Sequence, residues 1–297
     1  MLKDESSPSS DIRSPLSEDR PLPPAWQPLT PRGVAAFSRA PLGRLLLIQF
    51  IVALLVAGSV IWFLSTVWFP ATREAIRQLP DTGLLQNQQL SSPRSTTEPL
   101  VENRFMAFVV NVDGAGTPSL ATDLRIEFRR QNFALCSLLG CLQIDYPQGS
   151  TVQFNRPELE SWWAAWQLTM YSAAGIAVVV WLFATWLLLA ALYGPVARIY
   201  AFFKDRQLTL LGSWKLASAA LLPGALLTAA GIVLYGLGLI DLLQLLLLWV
   251  LHLLMGWVYL FVSPLRLPRA SDAIAAPRDP FANPRPPSTN PFSAQGE

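Results

Sequence analysis

Histidine is almost missing from this sequence. There is one, His252, and there are two cysteines, Cys136 and Cys141. Imidazole or thiolate metal clusters therefore have little to be built from, and there is no His-Glu-x-x-His and no paired Cys-x-x-Cys pattern. A Ser-His-Asp relay would have to use His252, which lies inside an apolar run, far from the polar part of the chain. No glycine-rich phosphate loop of the Walker type occurs. Charge is scarce as well: 14% of residues are charged against 52% hydrophobic, and the formal net charge is +2. Basic residues form no stripe that would follow a nucleic-acid backbone. These absences count against an enzyme, and neither cofactor, metal nor nucleic acid is expected.

Long apolar runs take the place of that chemistry. They occupy residues 45–69, 168–193, 216–237 and 239–262, with a Trp-rich lead-in to the second from Trp162. Each is about 20 residues or more, enough to cross ~30 Å of hydrocarbon as a helix. Inside lipid, backbone groups must pair within the segment, which selects helix. The fold class expected is a membrane α-helical bundle of four transmembrane helices, with a small extracytoplasmic antiparallel β-domain between helices 1 and 2. The organisation reads as a Pro-rich disordered cytoplasmic tail at 1–43, helix 1 at 44–69, the outer domain at 70–161, a three-helix bundle at 162–265 (helices at about 166–193, 214–237 and 239–263), and a second Pro-rich tail at 266–297.

Orientation follows from basic residues at the run ends. Arg32, Arg39 and Arg44 precede the first run. Arg198, Lys204, Arg206 and Lys215 lie between the second and third, and Arg266 and Arg269 follow the fourth. The turn between the third and fourth runs carries only Asp241. Four crossings put every basic cluster on one side, so both termini are expected in the cytoplasm and the chain in the cell (inner) membrane. Trp62 and Trp68, and Trp162, Trp163 and Trp166, sit where aromatic residues favour the headgroup level. A cleavable signal peptide is the rival reading of the first run. The run is too long for a signal peptide's apolar region, which favours an uncleaved anchor.

The tails have no hydrophobic periodicity, and each has eight prolines, counted over 1–41 and 264–291. Such composition cannot offset chain entropy by burial. Asp279-Pro280-Phe281 and Asn290-Pro291-Phe292 are similar to docking tripeptides, but such tripeptides arise easily by chance in a Pro-rich tail, and a solvated tail is the preferred reading.

Between the first two runs, residues 73–94 read as a connector, and a period of two follows. Leu124, Ile126 and Phe128 alternate with Arg125, Glu127 and Arg129; Leu142, Ile144 and Tyr146 with Gln143 and Asp145; Val152 and Phe154 with Gln153 and Asn155. Each pattern predicts a strand with one wet face. Residues 105–112 are apolar on both faces and predict a central strand, and Asp113-Gly114-Ala115-Gly116 and Pro147-Gln148-Gly149 are turn chemistry. Arg125, Glu127 and Arg129 are expected to form a solvated charge ladder; an anion- or ligand-contacting face is the alternative. Cys136 and Cys141 read as a structural disulfide in an oxidising compartment, with free thiols or redox work as the alternatives.

Within the fourth run, helical spacing places Asp241, His252, Gly256, Tyr259 and Ser263 on one stripe. His252, Tyr259 and Asp241 form the candidate intramembrane polar site. One reading is a titratable or ligand-contacting site; the other is an interhelical hydrogen bond that orients the bundle. In the third run Ala217, Ala220, Gly224, Thr228 and Gly231 form a small-residue ladder for close helix approach, and Pro223 predicts a kink.

The stretch Arg206-Gln207-Leu208-Thr209-Leu210-Leu211-Gly212-Ser213-Trp214-Lys215-Leu216-Ala217, leading to Ala220-Leu221-Leu222-Pro223, resembles the entry into the third helix of a bacterial MalA-like (maltodextrin-utilisation-type) membrane protein family. Val109-Val110-Asn111-Val112-Asp113-Gly114-Ala115-Gly116 resembles its outer strand and turn, and the membrane part is distantly similar to Yip1-type domains. The resemblance spans residues 45–265 and implies topology, with no catalytic residues. The function expected is a non-enzymatic envelope scaffold or sensor. Its outer domain would bind a partner or ligand, and its partners would be the lipid bilayer and a membrane or envelope protein. A small transporter or accessory subunit is the alternative, and an envelope enzyme using Asp113, Asp145, Glu158 and Glu160 is a third.

Overall fold

A computed structural model describes residues 24–93, 99–113, 122–149 and 151–271. Residues 1–23 and 272–297, with both tail tripeptides, lie outside the described residues, as does most of the Asp113–Gly116 turn. The expected first tail is cut short. Residues 24–43 are ordered and hold α1 (Pro31–Phe37), whose N-cap Thr30 accepts from the Gly33 amide. Val34, Ala35 and Phe37 are fully buried. Prolines in this stretch end up as a helix-starting residue and in turns, and its apolar Val-Ala-Ala-Phe core is buried against residues 210–220 and 264–266.

Four helical units are long and apolar enough to cross a membrane. In the first, α2 (Leu42–Phe63) runs through a π-helical turn (Leu64–Trp68) into α3 (Phe69–Arg77). The helix was expected to stop at residue 69, but it passes Pro70. Proline lacks an amide proton and crowds the carbonyl four residues back; the wider π turn just before it relieves that conflict. The Trp62 carbonyl accepts instead from the Ser65 and Thr66 hydroxyls, both at 2.8 Å. The assumed connector at 73–94 is thus part of α3 followed by a hairpin, β1 (Leu84–Gln86) and β2 (Gln89–Ser91), turned through Asn87 and Gln88, both in the left-handed region.

α4 (Arg156–Phe203) has 48 residues, ~72 Å at 1.5 Å per residue. Asn155 caps it by accepting from the Glu158 amide at 3.1 Å. The tryptophan lead-in and Arg198 both lie within it. The third unit breaks where Pro223 predicts, into α5 (Leu210–Ala220) and α6 (Leu222–Gly236). α7 (Leu242–Val262) begins with a reciprocal capping box between Asp241 and Gln244 and ends in a 3-10 turn, Pro264–Arg266. α2 packs against α4 and α6, α5 against α4, and α7 against α6. Leu45, Ala53, Ala190, Leu216, Ala217 and Leu222 are fully buried at the centre, while α4 and α7 leave a broad apolar surface uncovered.

The sheet region has two parts. β1 lies between β2 and β8 (Thr151–Gln153) in an antiparallel trio. The second part is ordered β3 (Val101–Glu102), β4 (Met106–Asn111), β5 (Leu124–Arg129), β6 (Asn132–Ser137), β7 (Gly140–Asp145). Antiparallel pairing holds except between β4 and β5, which run parallel with Met106 opposite Leu124. The chain between them is twelve residues long, the length that the crossover of a parallel pair needs. β4 is buried on both faces, as its uninterrupted apolar run predicts. Met106, Phe108 and Val110 join Leu124, Ile126 and Phe128 against Ala71, Ala75 and Leu79 of the α3 segment. β7 departs from expectation: Leu142 and Ile144 are exposed because β7 is the sheet's edge, and only Tyr146 beyond it is buried.

The small-residue ladder is used for packing. A Cβ on Gly224 would stand 2.7 Å from the His252 carbonyl oxygen, and one on Gly231 would stand 2.8 Å from Leu248. Gly58 in α2 faces open space. Gly224→Val is therefore expected to separate α6 from α7 and cost about 1–3 kcal/mol by overpacking, while Gly58→Val stays near wild type. Thermal unfolding of the detergent-solubilised chain measures both.

Candidate functional site

The seating of the sheet on the helices begins with three residues that no sequence pattern marked. Arg104, just before β4, donates from Nη1 to the Gly238 carbonyl at 2.6 Å and from Nη2 to the Ile240 carbonyl at 2.9 Å. Those carbonyls belong to the α6–α7 turn, where Gly238 takes φ 73°, a conformation that favours glycine. Tyr235 at the end of α6 donates to Asp123 Oδ2 at 2.7 Å. Phe105 meets the Tyr235 ring at 5.0 Å and the Phe63 ring at 5.8 Å, both edge-on. Polar and aromatic contacts together thus tie the starts of β4 and β5 to the helix ends.

Between the π turn, α3 and α4 lies a groove of about 350 Å³, lined by Ser65, Phe69, Pro70, Arg73, Glu74, Arg77 and Gln167. Arg73 donates to Gln167 Oε1 at 2.8 Å. Arg77 lies 3.9 Å from Glu74 and 3.7 Å from Glu160, both exposed pairs. Phe69 stacks on Tyr171 and meets Trp163 edge-on, forming the apolar wall behind it. The groove offers two guanidiniums, a carboxylate, an amide and a hydroxyl to a polar ligand. The sequence did carry a signal for it: Ala71, Ala75 and Leu79 recur at helical spacing beyond Pro70.

Arg125, Glu127 and Arg129 do not form a solvated ladder. Arg125 and Glu127 are each 5% exposed, and Asn111 is 3% exposed. Asn111 donates to Glu127 Oε1 at 2.8 Å and Arg129 to Oε2 at 3.2 Å, with Arg125 at 3.7 Å. Alternation told which residues share a face; it could not tell that this face is covered. Burial alone would raise the Glu127 carboxyl. The hydrogen bonds from Arg129 and Asn111, and the charges of Arg129 and Arg125, outweigh burial and hold it below its ordinary 4.5. With both oxygens engaged, this carboxylate serves the fold rather than proton transfer. Tyr146 is pushed upward by burial and donates to the Arg129 carbonyl at 3.0 Å.

The other named residues are dispersed. Cys136 and Cys141 face each other across the β6–β7 hairpin and form a disulfide. Asp241 is spent on capping α7. His252 Nδ1 meets the Trp249 carbonyl on its own helix. Tyr259 donates to the Leu29 carbonyl. The three are not brought together, and the bonds of Asp241 and His252 stay within the α7 segment. Asp113 pairs with Arg130 at 3.4 Å and Glu160 with Arg77, while Glu158 sits in the first turn of α4. Among the described residues no three metal-ligating groups cluster. No family model, no curated protein and no solved structure matches the chain.

Two outcomes follow. A carboxyl with a depressed folded value contributes fully above its unfolded value and loses that contribution as pH falls through the folded one. Acidification below 4.5 is expected to weaken the wild-type sheet domain more than Glu127→Gln, which is itself weaker by about 3 kcal/mol at pH 7 because Arg125 loses its counter-charge; denaturant titrations across pH compare them. Arg104→Ala leaves the Gly238 and Ile240 carbonyls without this donor. Hydrogen exchange of amides in residues 237–241 is expected to rise, while exchange within β6 holds.

Proposed function

We propose that this chain is a multi-pass protein of the cell (inner) membrane, with both termini cytoplasmic and the sheet domain on the outer side. It acts as a non-enzymatic scaffold or sensor that engages an envelope component. The observation that carries this reading is the mounting of the sheet on the α6–α7 turn by Arg104, Asp123 and Tyr235, together with a polar groove between α3 and α4. A partner held at that groove touches α3, α4 and the π turn together, so its presence bears directly on helices that continue through the bundle. The basic residues at the opposite ends of the helices support the orientation. The resemblance to MalA-like proteins supports the topology. Asp81, Asp113, Glu127 and Glu160 are paired with arginines, which favours binding over catalysis.

The transporter alternative relied on His252 and the break at Pro223. The His252 ring bonds to its own helix, and the α6 face after the break packs on α7, so both are accounted for by packing.

A photo-crosslinking residue at Gln167, in native membranes, tests the reading. Discrete adducts with one envelope protein, glycan or lipid species are expected, and Arg73→Gln should diminish them. Adducts that are absent, or unchanged by Arg73→Gln, would remove the groove as the contact. A periplasmic-type reporter inserted after Gln148 should be active; activity only of a cytoplasmic reporter there would reverse the orientation.

A further inference from the structure

The β6–β7 hairpin ends in Leu138 and Leu139, which no function above uses. Leu139 is 84% exposed, more than any other large apolar side chain among the described residues, and Leu138 and Leu142 are 63% and 61% exposed. Residues 131–144 contain no charged side chain, in a stretch bounded by Arg130 and Asp145. An apolar, uncharged tip held out from a folded domain marks an interaction surface.

Strand register says where that tip points. β4 and β5 both start at the bundle: Phe105 precedes Met106 and touches Tyr235, and Asp123 precedes Leu124 and accepts from Tyr235. β6 runs antiparallel to β5 with Ser137 opposite Leu124. The turn after Ser137 therefore lies level with residues 122–123, the height of the α6–α7 turn. β7 is two strands from β5, so the tip stands roughly 10 Å to the side at ~4.8 Å per strand. The Cys136–Cys141 bridge closes the hairpin immediately behind the tip, which keeps both strands together where Leu138 and Leu139 leave the sheet.

We propose that the Leu138–Leu139 tip inserts into the outer leaflet of the bilayer, as a second, shallow membrane contact of the sheet domain. This rests on the reading that the four helices cross that bilayer with the α6–α7 turn at its outer surface. The lipid surface is the favoured occupant because the tip is level with the helix ends and its flanks bring no charge to desolvate. A second copy pairing along the free β7 edge would have no need of leucines beyond the strand's end.

The test uses the full chain with both cysteines kept, in phosphatidylcholine/phosphatidylglycerol nanodiscs. A nitroxide is attached through a ketone-bearing residue at Leu139, or in a second variant at Leu138. The same label at Asp145, the far end of β7, and at Leu251 in α7 provides references. Relaxation by oxygen and by an aqueous nickel chelate is measured. Leu139 and Leu138 are expected to favour oxygen, as Leu251 does, while Asp145 favours nickel. In Cys136→Ser/Cys141→Ser the oxygen preference at Leu139 should fall toward that of Asp145. The proposal is overturned if Leu139 and Leu138 read as aqueous as Asp145, or if both relaxants are shut out, which would mean a protein partner. If Leu251 itself reads as aqueous, the membrane-spanning reading fails, and the tip proposal fails with it.

Discussion

A backbone carbonyl at a helix end needs a donor, and where α6 turns into α7 two of them find it in one guanidinium from the sheet. Arg104 is a fork whose two arms suit two neighbouring oxygens. Once that fork is seated, Asp123 comes within reach of Tyr235, Phe105 closes on Phe63, and the first residues of β4 and β5 are pinned to the bundle. β6 and β7 take their height from those two through register. The groove by the π turn is bounded by α3, which packs on the same sheet through Ala71, Ala75 and Leu79.

Pro70 sets a second constraint. A proline in the continuing first helix forces the wider turn just before it, and that turn opens the space bordered by Ser65, Phe69 and Arg73. The arrangement is economical: the residue that disturbs the helix also makes room beside it, and Ser65 and Thr66 satisfy the carbonyl that the turn releases. π turns recur at functional positions in other helices for this kind of reason.

Much of the bundle was legible in advance. Length and apolarity marked the four helical units, Pro223 marked the break between α5 and α6, and the small residues at 224 and 231 marked the close approach of α7. Alternation marked β5, β7 and β8 and sorted Leu124, Ile126 and Phe128 from Arg125, Glu127 and Arg129; an unbroken apolar run marked β4, and β6 went unmarked. What failed has a common cause. Burial of the Arg125–Glu127 face, exposure of β7 and ordering of α1 depend on which segments come to lie next to one another, and a local pattern holds no information about a neighbour distant in sequence. The parallel β4–β5 pair was missed for the same reason. Arg104, Asp123 and Tyr235 could not have been singled out, since each is ordinary where it stands and acquires meaning only across separations of more than a hundred residues.

α4 runs as one helix from Arg156 to Phe203, with Pro195 inside its last third. At ~72 Å it is more than twice the thickness of a bilayer's hydrocarbon, and its two extremities serve different neighbours. Near its start Trp163 lies against Phe69 and Gln167 holds Arg73; near its finish Gly194 lets Trp214 come close. A stiff member pivoting at mid-length moves its extremities in opposite directions. A tilt of 5° would carry each by about 3 Å over a 36 Å half-length, close to a full hydrogen-bond distance. A displacement of α4 beside the groove would thus reach its contact with α5 with inverted sign, reduced by the bend that Pro195 admits.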